Sequence, residues 1–212
     1  MRLDHVAYAA SHDHLADVVQ RIGSRLGAGL QDGGRHPRFG THNFVLPLAG
    51  DTYLEVVAAL DHPAADRAPF GRAVRRRADD GGGWLGWVVA VDDISAVEQR
   101  LGRAAVDGNR HRPDGVELRW RQIGVQDLLD DPQLPFFVEW QVDSGQHPAA
   151  GADHGLRVSR LEINGDPATV SEHLGTPVEH LVDDVEIDWV PADEPGLQAV
   201  VFETPRGEVR ID

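Results

Sequence analysis

The sequence predicts an α+β protein assembled from repeated βαβββ units. Three observations carry that expectation. An apolar strand-like run, a helix cap, a short amphipathic helix and a glycine stop recur three times along the chain. The stops Gly27, Gly102 and Gly175 lie 75 and 73 residues apart. Strand-like runs separated by turn residues follow each helix.

In the first unit, Leu3–Ala9 reads as a strand and Ser11 as the candidate helix cap. Leu15, Val18, Val19, Ile22 and Leu26 follow at helical spacing, and Gly27 ends the run. Asn43–Leu48 and Thr52–Ala59 are strand-like on either side of the turn Ala49-Gly50-Asp51. Ala64–Asp80 reads as a solvated connecting helix with a basic end (Arg72, Arg75, Arg76, Arg77), closed by three glycines. The second unit begins at Leu85–Val91, with Asp92 or Asp93 as cap. Its helix carries Ile94, Val97 and Leu101 and stops at Gly102, and Val116–Ile123 and Phe136–Val142 are its strands. Asp143–Gly155 is a linker by composition. The third unit begins at Leu156–Ile163, with Asp166 as cap and Pro167 at the first helical position. Gly175 ends its helix, and the strands Val185–Val190, Leu197–Thr204 and Glu208–Ile211 follow. The expected division is a paired domain over 1–142 (modules at about 2–60 and 84–142) and a shorter third module over 156–212.

Composition narrows the function classes. With 212 residues, 41% of them hydrophobic, the chain can bury a sizeable core. It has no cysteine, which excludes disulfides and thiolate metal sites. A formal charge of −15 disfavours nucleic acid and anionic membranes as partners. No stretch approaches the roughly 20 apolar residues that span a bilayer. The N-terminus enters a strand directly, without a secretory pattern, and a cytoplasmic location is expected. Most of the eleven histidines (His12, His14, His62, His111, His147, His154) fall in polar segments and read as solvated surface.

Two acids interrupt apolar strands, where an unpartnered carboxylate is costly. Glu55 sits in Tyr53-Leu54-Glu55-Val56-Val57, and Glu139 in Phe136-Phe137-Val138-Glu139-Trp140. Strand alternation places Glu55 with Tyr53 and Val57, and Glu139 with Phe137 and Gln141. The opposite faces, including Phe136, Val138 and Trp140, suit packing against helices, so both acids are expected on the concave side of the sheet. His5 in the first strand has Trp87 as its expected counterpart at an offset of 82, and the two acids are offset by 84. Pseudo-symmetric packing of two units would gather all four at the sheet centre. One imidazole and two carboxylates suit a divalent cation, and Trp87 would wall the cavity or stack on a flat ligand. In the third unit, Arg160 and Glu203 occupy the corresponding positions and read as an ion pair or a remnant.

Leu3-Asp4-His5-Val6, Tyr53-Leu54-Glu55 and the duplicated βαβββ pattern resemble the vicinal oxygen chelate superfamily. The segments 34–37, 40–43, 112–115 and 134–137 resemble its glyoxalase-like branch, and the likeness covers about residues 2–142. The resemblance implies a half-open, cupped mixed β-sheet barrel with helices outside, and metal ligands on its inner strands. His5, Glu55 and Glu139 match three such positions, while Trp87 departs from the usual fourth ligand. It further implies a divalent metal (zinc, nickel, manganese or iron, or none), a small-molecule partner and a homodimer.

Two functions follow as expectations. One is a metal-dependent lyase or isomerase acting on a small carbonyl or vicinal-oxygen compound. In it Glu139 or Glu55 moves a proton, and Trp87, His36, Asn43, Tyr53, Phe137 and Trp120 contact the substrate. Dioxygenase chemistry would need a second imidazole, from His36 or His42 in a glycine-flanked loop. The other is a metal-free binding protein of the drug-sequestering type, holding a cationic or aromatic ligand among Trp84, Trp87, Trp120 and Phe137, with Glu55 and Glu139 as counter-charges.

Overall fold

The computed structural model describes residues 1–152, 155–180 and 185–212. His154 therefore lies outside the described residues. The first module runs β1 (Arg2–Ala9), α1 (Leu15–Leu26), β2 (Gln31–His36), β3 (Thr41–Leu48) and β4 (Thr52–Ala59). Two short helices follow, α2 (Pro63–Arg67) and α3 (Pro69–Asp79). The second module is β5 (Gly83–Ala90), α4 (Ser95–Leu101), β6 (Val106–His111), β7 (Glu117–Ile123), α5 (Val125–Asp130) and β8 (Phe136–Trp140).

Local chemistry explains the helices. Leu15, Ile22 and Leu26 bury one stripe of α1, and each such side chain stabilises the fold by roughly 1.5–3 kcal/mol. Gly27 then takes the left-handed conformation (φ 74°) that ends the helix. Gly102 and Gly175 do the same for α4 and for α6 (Pro167–Leu174). Asp166 caps α6, its side chain accepting from the amides of Ala168 and Thr169.

The eight strands form a barrel in the order β1-β4-β3-β2-β6-β7-β8-β5. In each module the first strand pairs in parallel with the last, β1 with β4 and β5 with β8. The modules join along the antiparallel β1–β5 ladder, and the opposite rim meets at one bridge, Arg35 to His111. The expected cup is thus present, with its lip tied by a single residue pair.

Three features depart from the expected layout. The strands β2 and β6 are polar and are not among the predicted strands. Their place comes from backbone ladders with β3 and β7, and α5 stands between two predicted strands, where no helix is expected. The segment 64–80 is not one solvated helix. It breaks at Ala68, which is extended before Pro69, and α3 buries Phe70, Gly71, Ala73 and Val74. These pack with Ala7, Val57, Leu85 and Val88 from the inner faces of the strands. A Cβ on Gly71 would lie 2.4 Å from the Phe39 carbonyl oxygen, so the helix approaches as closely as only glycine allows. Its arginines face outward onto carbonyl or side-chain oxygens.

The third unit is β9 (Arg157–Asn164), α6, β10 (Glu186–Trp189), β11 (Gly196–Thr204) and β12 (Gly207–Ile211). It keeps the expected order of elements but forms a separate sheet, β10-β9-β11-β12. Here the first strand pairs in parallel with the next strand, not with the last. This sheet packs on the outside of the barrel, where Trp84 meets Phe202 and its Nε1 donates to the Ile211 carbonyl at 2.9 Å. Arg160 and Glu203 do not pair with each other. Arg160 meets Asp188 at 3.2 Å, and Glu203 accepts from Arg157 at 2.6 Å. Among the described residues, no helix is long and apolar enough to cross a membrane.

Candidate active site

A small cavity lies inside the barrel, bounded by His5, His36, Tyr53, Glu55, Arg110 and Gln122, with aromatic walls from Phe39, Phe70, Trp120, Phe136 and Trp140. About 30 Å³ is open to the centre of a water molecule, room for roughly two waters.

His5 owes its direction to an irregularity in β1. The ladder with β5 shifts between Leu3 and His5, so Leu3 and Val6 join the outer core while His5 enters the cavity. Beside it, Asp4 is fully buried and accepts from His5 Nδ1 (2.8 Å), Trp140 Nε1 (3.0 Å) and His147 Nε2 (3.1 Å). Burial alone would raise the Asp4 carboxyl. The hydrogen bonds and charges of His147 and His5 outweigh it and hold the group well below the usual carboxylate range. While Nδ1 meets Asp4, the His5 Nε2 faces Glu55 Oε2 at 3.8 Å.

Glu55 projects inward from β4 with Tyr53, whose ring stacks on His5 at 4.4 Å. Its Oε1 accepts from Asn43 Nδ2 on β3 at 2.5 Å. Its Oε2 is buried and has no hydrogen-bond partner among the described residues. Burial, then the nearby Asp4 and Glu55 charges, push the Tyr53 hydroxyl well above its ordinary range, so Tyr53 remains an O–H donor. His36 Nδ1 bonds Thr41 Oγ1 at 2.8 Å and Nε2 lies 4.0 Å from Glu55 Oε1. Burial, then the charges of Arg110, His42 and His5, hold His36 well below its ordinary value, so it is neutral.

The structure corrects three placements. Glu139 does not face the cavity. It opposes Arg121 across the β7–β8 ladder, with 3.7 Å between Oε2 and Nη1, and its strand neighbours Phe136, Val138 and Trp140 point inward instead. Trp87 pairs with Val6 on the outer face and donates from Nε1 to the Gln133 carbonyl. Phe137 packs outside against His173. Registers show why. His5 pairs with Tyr53, and Val88 with Phe136, which makes Val88 the counterpart of His5 and Val138 that of Glu55, both at an offset of 83. The offsets of 82 and 84 each miss by one residue, and one residue reverses the face. Of the four aromatics expected around a basic ligand, Trp120 alone lines the cavity, since Trp84 faces the third sheet.

The donor set does not fit the expected metal. His5 and Glu55 adjoin, but Glu139 is elsewhere, Val88 and Val138 hold the corresponding positions of the second module, and a buried guanidinium (Arg110) shares the cavity. Among the described residues no three His, Asp or Glu are assembled that could hold a metal ion. His36 and His42 lie in strands, not in a loop; His36 lines the cavity, and Asn43, in a strand as expected, bonds Glu55. His42 points outward to Asp32 at 2.8 Å.

Four residues with a part here carried weak signals in the sequence. Asp4 interrupts an apolar strand, a signal as clear as that of His5. His147 read as linker surface yet is largely buried against Asp4. Arg110 and Gln122 lie in stretches with no pattern that marks a cavity.

The sequence profile of the glyoxalase-like domain matches residues 3–178. No curated protein matches the chain. A hypothetical protein from Staphylococcus aureus superposes with a TM-score of 0.59 at 13% identity, over 100% of this chain and 85% of its own. A methylmalonyl-CoA epimerase from Mycobacterium tuberculosis gives a TM-score of 0.43 at 14% identity, over 66% of this chain and 86% of its own. A variant of the Streptomyces coelicolor epimerase gives 0.44 at 14%, over 66% and 96%. Such identities speak to fold alone. The match over most of its length places the chain in the glyoxalase-like domain family.

Proposed function

We propose that the protein is an enzyme of lyase or isomerase type that moves a proton beside a carbonyl group in a small oxygen-bearing substrate. The observation that carries this reading is Glu55 Oε2, a buried carboxylate oxygen with no hydrogen-bond partner among the described residues, facing a cavity 3.8 Å from His5 Nε2. Asn43 holds the other oxygen, so the free one is aimed. Glu55 takes the proton from the carbon next to the carbonyl and returns it to that carbon or its neighbour. Tyr53, kept protonated, donates to the carbonyl oxygen as negative charge develops there. Asp4 fixes the His5 tautomer so that Nε2 accepts a hydroxyl proton from the substrate. Aromatic walls exclude bulk water, which strengthens each of these interactions.

The test is carbon-bound deuterium uptake in heavy water, followed by NMR over a panel of small oxo and hydroxy compounds. Glu55→Gln is expected to slow exchange by about 10²–10⁴-fold. Absence of exchange across the panel, or an unchanged rate in the variant, overturns the proposal.

A further inference from the structure

The second module contributes one charged group to the cavity, and the proton-transfer reading does not use it. Arg110 lies on β6 and is 2% exposed. Its Nε has no hydrogen-bond partner, and its guanidinium forms no ion pair among the described residues. Burial pulls its pKa down, while the charges of Tyr53, Glu55 and Asp4 act to raise it and that of Arg112 to lower it. Glu55 is thus near enough to be felt but not near enough to pair.

A guanidinium is a planar donor with five N–H groups and no acceptor. Sequestered from water without an acceptor, it is costly. The chain nevertheless makes room for it. Gly33 has no positive φ, so backbone strain does not require glycine there. A Cβ at that position would lie 2.3 Å from Asn43 Oδ1 and 3.1 Å from Arg110 Nη1. The missing side chain leaves space for Arg110 beside the residue that holds Glu55.

We propose that Arg110 is the anchor for a carboxylate group, and that the cavity takes small 2-oxo or 2-hydroxy acids. This assignment rests on the proton-transfer reading for the other end of the ligand. The guanidinium fork matches a carboxylate with two parallel hydrogen bonds. The adjacent carbonyl or hydroxyl carbon then falls toward Glu55 Oε2 and His5 Nε2, which a carboxylate lacking that group would leave unmet. The small cavity admits a short acid, or the acid end of a longer molecule that extends out of it. No bond is made or broken at Arg110, which binds and orients.

The experiment is a binding titration by thermal shift and calorimetry with pyruvate and lactate, against methyl pyruvate, acetone and inorganic phosphate at matched ionic strength. Pyruvate or lactate is expected to bind saturably, and the neutral compounds at least about tenfold more weakly. Arg110→Met is expected to remove acid binding. Arg110→Lys keeps the charge but loses the fork, and weakens binding at least about fivefold. The Lys variant serves as the test should the Met variant fail to fold. Equal binding of pyruvate and its methyl ester, preference for phosphate, no binding of any acid, or unchanged affinity in the Arg110 variants overturns the assignment. Acid binding without deuterium exchange upholds the Arg110 site and sinks the proton-transfer reading. Exchange of neutral ketones without acid binding does the reverse.

Discussion

The two modules of the barrel share a backbone plan and divide the work unequally. Register sets His5 against Val88, Tyr53 against Phe136 and Glu55 against Val138. Carried across the neighbouring ladders, the same correspondence sets Asn43 against Trp120 and His36 against Arg110. The first module thus supplies the acid, the imidazoles and the amide. The second supplies apolar and aromatic walls, the Gln122 amide and one cation. Duplication repeated the scaffold, and the chemistry stayed in one half. A low-dielectric wall opposite a carboxylate strengthens the few polar contacts that remain. A second full polar set would have to be desolvated as well.

Two buried charges make the sharpest contrast. Asp4 in the first module has three hydrogen-bond donors, while Arg110 in the second has no acceptor among the described residues. Asp4→Ala should cost about 3–5 kcal/mol by denaturant unfolding, because it strands three buried donors. A loss under about 1 kcal/mol would mean that the donors find other acceptors. Arg110→Met should leave the protein more stable by about 1–4 kcal/mol in the absence of ligand, since it removes a desolvated charge that lacks a partner. Destabilisation by that substitution would show Arg110 to be structural.

Acid should unfold the protein from the first module. His36 has a folded pKa below its unfolded value of about 6.5, so the unfolded chain binds the proton more readily. Its contribution is present above that value and is lost as pH falls, at no more than about 1.4 kcal/mol per pH unit. Asp4 is also depressed, so its contribution is complete above about pH 4 and is lost below it. A melt series from pH 7.5 to 3 should show both stages, and His36→Gln should flatten the first. Glu139→Ala should change little, about 0.2–1 kcal/mol, because its pair with Arg121 is partly solvated. It should leave deuterium exchange intact, and a large loss of exchange would return Glu139 to the site.

Much of the fold was legible. The glycines Gly27, Gly102 and Gly175 adopt the left-handed helix stop that their positions imply. Asp166-Pro167 opens a helix as such a pair should, and Thr52–Ala59 is a strand over the predicted residues. In the site, His5, Glu55, Tyr53, His36 and Trp120 share one cavity, and Asn43 touches it through Glu55. The rest was hidden for identifiable reasons. The strands β2 and β6 have no apolar alternation, since backbone ladders hold them at the rim. The inward face of α3 carries Phe70, Ala73 and Val74 among four arginines, a pattern shared by surface helices.

Local chemistry decides where a helix starts and stops, and which residues of a strand share a side. Both depend on the nearest few residues, through φ preferences, side-chain caps and the two-residue repeat of a strand. Which side becomes the interior is settled only when strands from distant parts of the chain pair. The shift at Leu3 and His5 and the 83-residue correspondence between modules are properties of those ladders. Glu55 and Glu139 stand in similar strands, yet one faces the barrel cavity and the other an arginine outside it, because a single step of register turns a side chain through the sheet.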